Sequence, residues 1–85
     1  MIRVVLPTHL RSYSGGAGEV TASGATLGEV LRDVDRQHPG FLIRVVDEQD
    51  RIRPHIKCFV SGEQVANTEA AVVGEVQIIA ALSGG

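Results

Sequence analysis

This chain has a single cysteine, Cys58, a single lysine, Lys57, and no tryptophan. One thiol cannot close an internal disulfide. Nor can it supply an iron–sulfur cluster or a cysteine-rich zinc site, which removes electron transfer on such a cluster from the possible roles. The remaining candidate ligands are His9, His38 and His55, and no two stand at i,i+4 on a helix, so no metal site is expected. Basic charge is also scarce: eight Lys and Arg stand against ten Asp and Glu, a formal net charge of −2. Nucleic-acid binding rests on many phosphate-neutralising cations, so nucleic acid is not an expected partner. Long apolar runs are missing too, and nothing approaches the roughly 18 residues that span a bilayer. The stretch Met1–Pro7 is too short for a signal h-region and lacks a small-residue cleavage pattern. No membrane partner is expected, and the cytoplasm is the expected location.

What is present fits one small domain. The 85 residues are 44% hydrophobic and 21% charged, enough for a single core of modest stability. No repeat, linker or low-complexity stretch interrupts them. Ile2–Leu6 is an aliphatic run that Pro7, lacking an N–H, brings to an end. His9–Gly18, with Ser12, Ser14, Gly15, Gly16 and Gly18, has the composition of a wide hairpin turn before alternation resumes at Glu19–Ala22. Thr26-Leu27-Gly28-Glu29 matches a capping box and predicts a helix start. The apolar positions Leu27, Val30, Leu31 and Val34 then form one helical stripe, with Arg32, Asp33, Asp35 and Arg36 on the wet side. His38-Pro39-Gly40 stops that helix. Phe41–Val46 is either a second short helix or a packed loop, and Asp47–Asp50 is a polar turn. Ile56–Val60 alternates as a strand, turns at Ser61-Gly62-Glu63 and resumes at Gln64-Val65. Asn67–Val73 fits neither period. After a turn at Val73-Gly74-Glu75, Val76–Leu82 reads as a buried strand that runs out into Ser83-Gly84-Gly85.

One helix against a small mixed sheet, with strands at both ends of the chain, gives the α+β class. The first and last strands are apolar enough to be central neighbours. Several motifs in this order resemble the ubiquitin-like sulfur-carrier family, which includes the small subunit of molybdopterin synthase and the sulfur carrier of thiamine synthesis. They are Pro7-Thr8-His9-Leu10-Arg11 followed by Gly15-Gly16, Gly24-Ala25-Thr26-Leu27-Gly28-Glu29, Phe59-Val60-Ser61-Gly62-Glu63, and the closing Gly84-Gly85. The likeness covers nearly the whole chain and is nearest to carriers serving cysteine or sulfur-containing natural-product synthesis. It implies a β-grasp (ubiquitin-like) fold over residues 1–82, with a mixed sheet and one main helix on one face, and a flexible diglycine tail over 83–85. It further implies a protein that is not itself an enzyme and binds no cofactor. Its Gly85 carboxylate is adenylated by an E1-like activating enzyme (an adenylyltransferase) that uses ATP and magnesium, and sulfur then replaces AMP as a thiocarboxylate. A sulfur-accepting biosynthetic enzyme is the second implied partner. Where many relatives carry a proline just before the tail, this chain has Ala80-Ala81.

The chemistry has a direct rationale. A carboxylate, with a reference pKa of about 3.3–3.7 at the chain end, is a poor electrophile, and adenylation supplies a leaving group. Ser83, Gly84 and Gly85 carry almost no side chain, so the stalk can thread a narrow channel. Beside it, strand parity puts Ile56, Cys58 and Val60 inward and leaves Lys57 and Phe59 outward. The same parity leaves Gln77 and Ile79 outward on the last strand. Phe59 as an exposed aromatic, with Ile79 and Leu82, forms a candidate partner-binding patch. Arg51, Arg53, His55 and Lys57 share Phe59's parity, a basic stripe that Pro54 interrupts. Cys58, facing inward, is expected to be inert. Two other readings stay open: a protein modifier joined through Gly85 to lysines, and a non-covalent interaction module.

Overall fold

The structure, a computed structural model, describes residues 1–80. The tail residues Ser83, Gly84 and Gly85, and Leu82 of the expected patch, lie outside the described residues. Five strands form one sheet in the order β2-β1-β5-β3-β4, where β1 is Ile2–Val5, β2 Glu19–Ala22, β3 Ile56–Val60, β4 Glu63–Val65 and β5 Val76–Ala80. The sheet is mixed, as expected, and β5 holds its centre. It runs parallel to β1 through Val4↔Val76 and Val5↔Gln77, and antiparallel to β3 from Ile56↔Ala80 to Val60↔Val76.

Helix α1, Leu27–Gln37, packs on one face. Its predicted stripe is the buried one: Leu27, Val30, Leu31 and Val34 are inaccessible to solvent, and each such burial contributes roughly 1.5–3 kcal/mol. The helix start is held at four N–H groups: those of Leu27, Gly28 and Glu29, which lack a partner within the helix, and that of Val30, which makes the first intrahelical bond. Glu29 donates to Thr26 Oγ1 at 3.3 Å and Val30 to the Thr26 carbonyl at 3.0 Å. Leu27 donates to the carbonyl of Ala70 and Gly28 to that of Thr68, at 2.9 and 2.8 Å. The return arm of the capping box differs by one residue, since the Glu29 carboxylate accepts from Ala25 at 2.8 Å rather than from Thr26. Asn67–Val73, which fits neither period, is therefore a backbone brace for the helix start, tied down by Val72 donating to Ala25 at 2.9 Å. Gly24 belongs to the same junction: a Cβ there would stand 2.7 Å from the Val30 nitrogen.

Three segments differ from their sequence reading or resolve it. The Gly- and Ser-rich connection after β1 is more than a wide turn, because Thr8–Ser14 forms a 3₁₀ helix that sinks Leu10 into the core at 1% exposure. One apolar anchor outweighs the loop-like composition around it. Phe41–Val46 becomes the short helix α2, Leu42–Val45, with Phe41 and Val45 fully buried. Strand β4 begins one residue earlier than expected, at Glu63, because Ser61 (φ 50°) and Gly62 (φ 86°) make a two-residue hairpin turn with both central residues left-handed.

Candidate functional site

The region to consider is the downstream end of β5, from which the chain continues toward Gly85. Its two flanks are unequal. On the β3 side the ladder runs to the last described residue, Ala80. On the β1 side it ends at Gln77. There Leu6 donates to Gly18 at 2.8 Å, and Pro7 has no N–H with which to extend the pairing. The chain then swings into the 3₁₀ helix and leaves a groove of about 460 Å³, lined among others by Leu6, Pro7, His9, Arg11, Ile79 and Ala80.

On the face away from α1, Phe59 stands in register with Gln77 and Lys57 with Ile79. Phe59 and Ile79 are therefore diagonal neighbours, as parity requires. Ile79 is 39% exposed. Phe59 is half-buried rather than an exposed aromatic, because Gln77 on one side and Gln64 on the other share its face in register. The patch is thus a chequer of apolar and polar side chains. Cys58, on the opposite face, is fully inaccessible, and burial pushes its thiol up to about 11. It has neither the access nor the thiolate that a nucleophile needs.

The basic residues Arg51 to Lys57 do not form one strand face. Only Lys57 lies within β3; ahead of it Arg53 turns back to donate from Nε to the Ile43 carbonyl at 2.7 Å. A depression of about 480 Å³ near α2 contains Asp35, Asp47, Glu48 and Asp50 but no residue of β5. Two of its carboxylates serve the fold. Asp35 accepts from the amides of Gly40 and Leu42 at 3.2 and 2.9 Å. Asp47 accepts from those of Gln49 and Arg51 at 2.9 and 3.0 Å, and the Arg51 amide above all holds its carboxyl below the usual range. Among the described residues no three His, Cys, Asp or Glu side chains gather as a metal-ligand set, and no helix is long and apolar enough to cross a membrane.

A mixed sheet with the first and last strands side by side at its centre and one helix across it defines the β-grasp, ubiquitin-like class. No family model matches the chain. It is 33% identical to the sulfur carrier protein CysO of Mycobacterium tuberculosis and of Mycobacterium bovis, over 99% of its own length and 98% of theirs. Among solved structures it is similar to the Amycolatopsis orientalis BexX/CysO complex, with TM-score 0.92, 34% identity and both chains covered in full. It is also similar to SAMP1 of Haloferax volcanii, with TM-score 0.75 and 28% identity over 99% of this chain and 98% of that one. The chain belongs to the CysO family of ubiquitin-like sulfur carrier proteins.

Proposed function

We propose that this protein carries sulfur on its own terminal carboxyl group. The Gly85 carboxylate attacks the α-phosphorus of ATP in an E1-like, magnesium-using activating enzyme and expels pyrophosphate. A sulfide-level nucleophile then attacks the acyl carbon of the adenylate, AMP departs, a proton is released, and a thiocarboxylate remains. That group is the sulfur source for a biosynthetic acceptor enzyme. In this reading the chain catalyses nothing, residues 1–82 are the handle, and Ser83 and Gly84 are the thin stalk. Phe59, Ile79 and Leu82 meet the partner. The observation that carries the reading is the full-length likeness to CysO sulfur carriers.

Mass spectrometry of the protein from its native host tests it. The expected result is a fraction heavier by sulfur replacing oxygen, located on the C-terminal peptide and lost in a Gly85→Ala variant. Without that species under any growth condition, the reading fails. A second reading, a modifier joined through Gly85 to lysines, is supported by the likeness to the small archaeal modifier protein SAMP1 of H. volcanii. The same spectra would then show Gly85 linked to lysines of other proteins.

A further inference from the structure

Three of the eight Lys and Arg residues are ion-paired: Arg3 with Glu75 and Glu19, Arg32 with Asp50, and Arg36 with Asp33. The other five have no carboxylate within 4.0 Å among the described residues. Four of those five, Arg11, Arg44, Arg53 and Lys57, gather at the end of the sheet from which β5 leaves. Arg11 lines the β5 groove together with His9. Arg44, Arg53 and His55 line a second hollow of about 250 Å³ beside Ile43, which is 46% exposed. Ile56 is registered with Ala80 and Lys57 with Ile79, so His55 and Lys57 flank the last described turn of the strand. The opposite end of the sheet carries Glu63 and Glu75 beside the β3–β4 turn. A chain of net negative charge thus keeps four of its five unpaired cations at one pole, while Arg51 closes the Asp47–Asp50 turn.

The three arginines of this pole share a mode of attachment. Each is held by Nε: Arg11 donates to the Leu6 carbonyl at 3.3 Å, Arg44 to the Tyr13 hydroxyl at 2.7 Å, and Arg53 to the Ile43 carbonyl at 2.7 Å. Arg44 also stands 5.8 Å from the centroid of the Tyr13 ring. None of their Nη atoms has a hydrogen-bond partner among the described residues. The paired arginines, by contrast, spend Nη on carboxylates. A guanidinium fixed through Nε has lost much of its rotamer freedom before any partner arrives, and its Nη pair keeps the fork that suits a carboxylate.

We infer that His9, Arg11, Arg44, Arg53, His55 and Lys57 form a pre-set collar that docks on a protein whose tail-admitting channel is rimmed with Asp and Glu carboxylates. This rests on the reading that the tail is inserted into an adenylating partner. The collar flanks the end of β5 on both sides, so its cations and the partner's rim meet only when the tail is aimed correctly. Such complementarity acts mainly on encounter and orientation.

The test uses the full chain with the adenylating enzyme of the same genome, following carrier-dependent ATP–pyrophosphate exchange at low and high salt. The Arg44→Glu/Lys57→Glu double variant is expected to raise the KM for the carrier by about tenfold or more, with kcat nearly unchanged, and to flatten its salt dependence. Because Arg44 also holds Tyr13, a His9→Glu/Lys57→Glu variant serves as a second probe. The control is Arg32→Glu/Arg36→Glu on α1, which makes the same change in net charge as the first double variant; its KM should stay within about twofold. A KM that rises equally in collar and control variants, or in none, overturns the collar while leaving carrier function intact. Failure of the wild-type chain to support exchange under all conditions overturns both. A salt-insensitive KM for the wild type also overturns the collar, since exposed charge pairs are screened.

Discussion

The two faces of the sheet share five strands and one register, yet they meet different surroundings. The inner face presents Val4, Ala22, Ile56, Cys58, Val76 and Ile78, all nearly or fully inaccessible, to α1 and the rest of the core. The outer face, read along the same strands, presents Arg3, Lys57, Phe59, Gln77 and Ile79 to water. Alternation along β3 and β5 lets neighbouring residues answer to separate surroundings, one set to the packed core and the other to the outer surface. Substitutions one position apart should therefore have effects of different kinds.

Ile78→Ala gives the largest expected effect on stability. It empties a filled inner position on the central strand and should destabilise the domain by about 2–5 kcal/mol in denaturant unfolding. A loss below about 1 kcal/mol would mean that the inner face is not close-packed. Cys58 comes next. Its thiol is raised from 9.0 to about 11 in the folded chain. The folded state therefore keeps the proton that the unfolded chain releases, and this contribution is whole below pH 9 and is lost as pH climbs through 11. The loss is on the order of 2–3 kcal/mol, read as the difference in pH dependence between wild type and Cys58→Ala. Identical pH profiles would place the thiol in contact with water, as would rapid labelling of the native protein.

The outer face should answer in binding instead. Phe59→Asp is expected to weaken activating-enzyme binding by about tenfold, or about 1.4 kcal/mol, while the melting curve keeps its shape. Unchanged affinity would remove Phe59 from the docking surface. Ile79→Ala should cost least in stability, about 0.5 kcal/mol or less, for a residue already 39% exposed. A loss comparable to that of Ile78→Ala would erase the distinction between the faces.

How legible these features are in the sequence follows from the kind of signal each leaves. The α1 stripe, the Thr26 cap and the alternation of β3 and β5 are side-chain periodicities, so they can be read directly. The brace at Asn67–Val73 works through the carbonyls of Thr68 and Ala70, which every residue type possesses, and leaves no pattern. The 3₁₀ helix is hidden because one buried leucine, Leu10, sits among glycines and serines. On the outer face, parity alone puts Phe59 and Ile79 together, whereas the screening of Phe59 by Gln64 and Gln77 depends on strand order. The basic collar draws on the 3₁₀ helix, α2, the segment before β3, and β3 itself, while the sequence offered only the stretch from Arg51 to Lys57. Pro54 divides that stretch, and contributions from distant parts of the chain become visible only when the elements are in place.

The pairing of β1 with β5 has a mechanical consequence. The two strands lie side by side and point the same way, so tension applied to the tail against the front of the chain slides one strand along the other. Their shared bonds are loaded together rather than peeled one at a time, and on its other side β5 is gripped by β3 along all five residues. Under the proposed insertion of the terminus into a partner's pocket, the pull would thus fall on a stiff bolt, and the body would follow without unravelling.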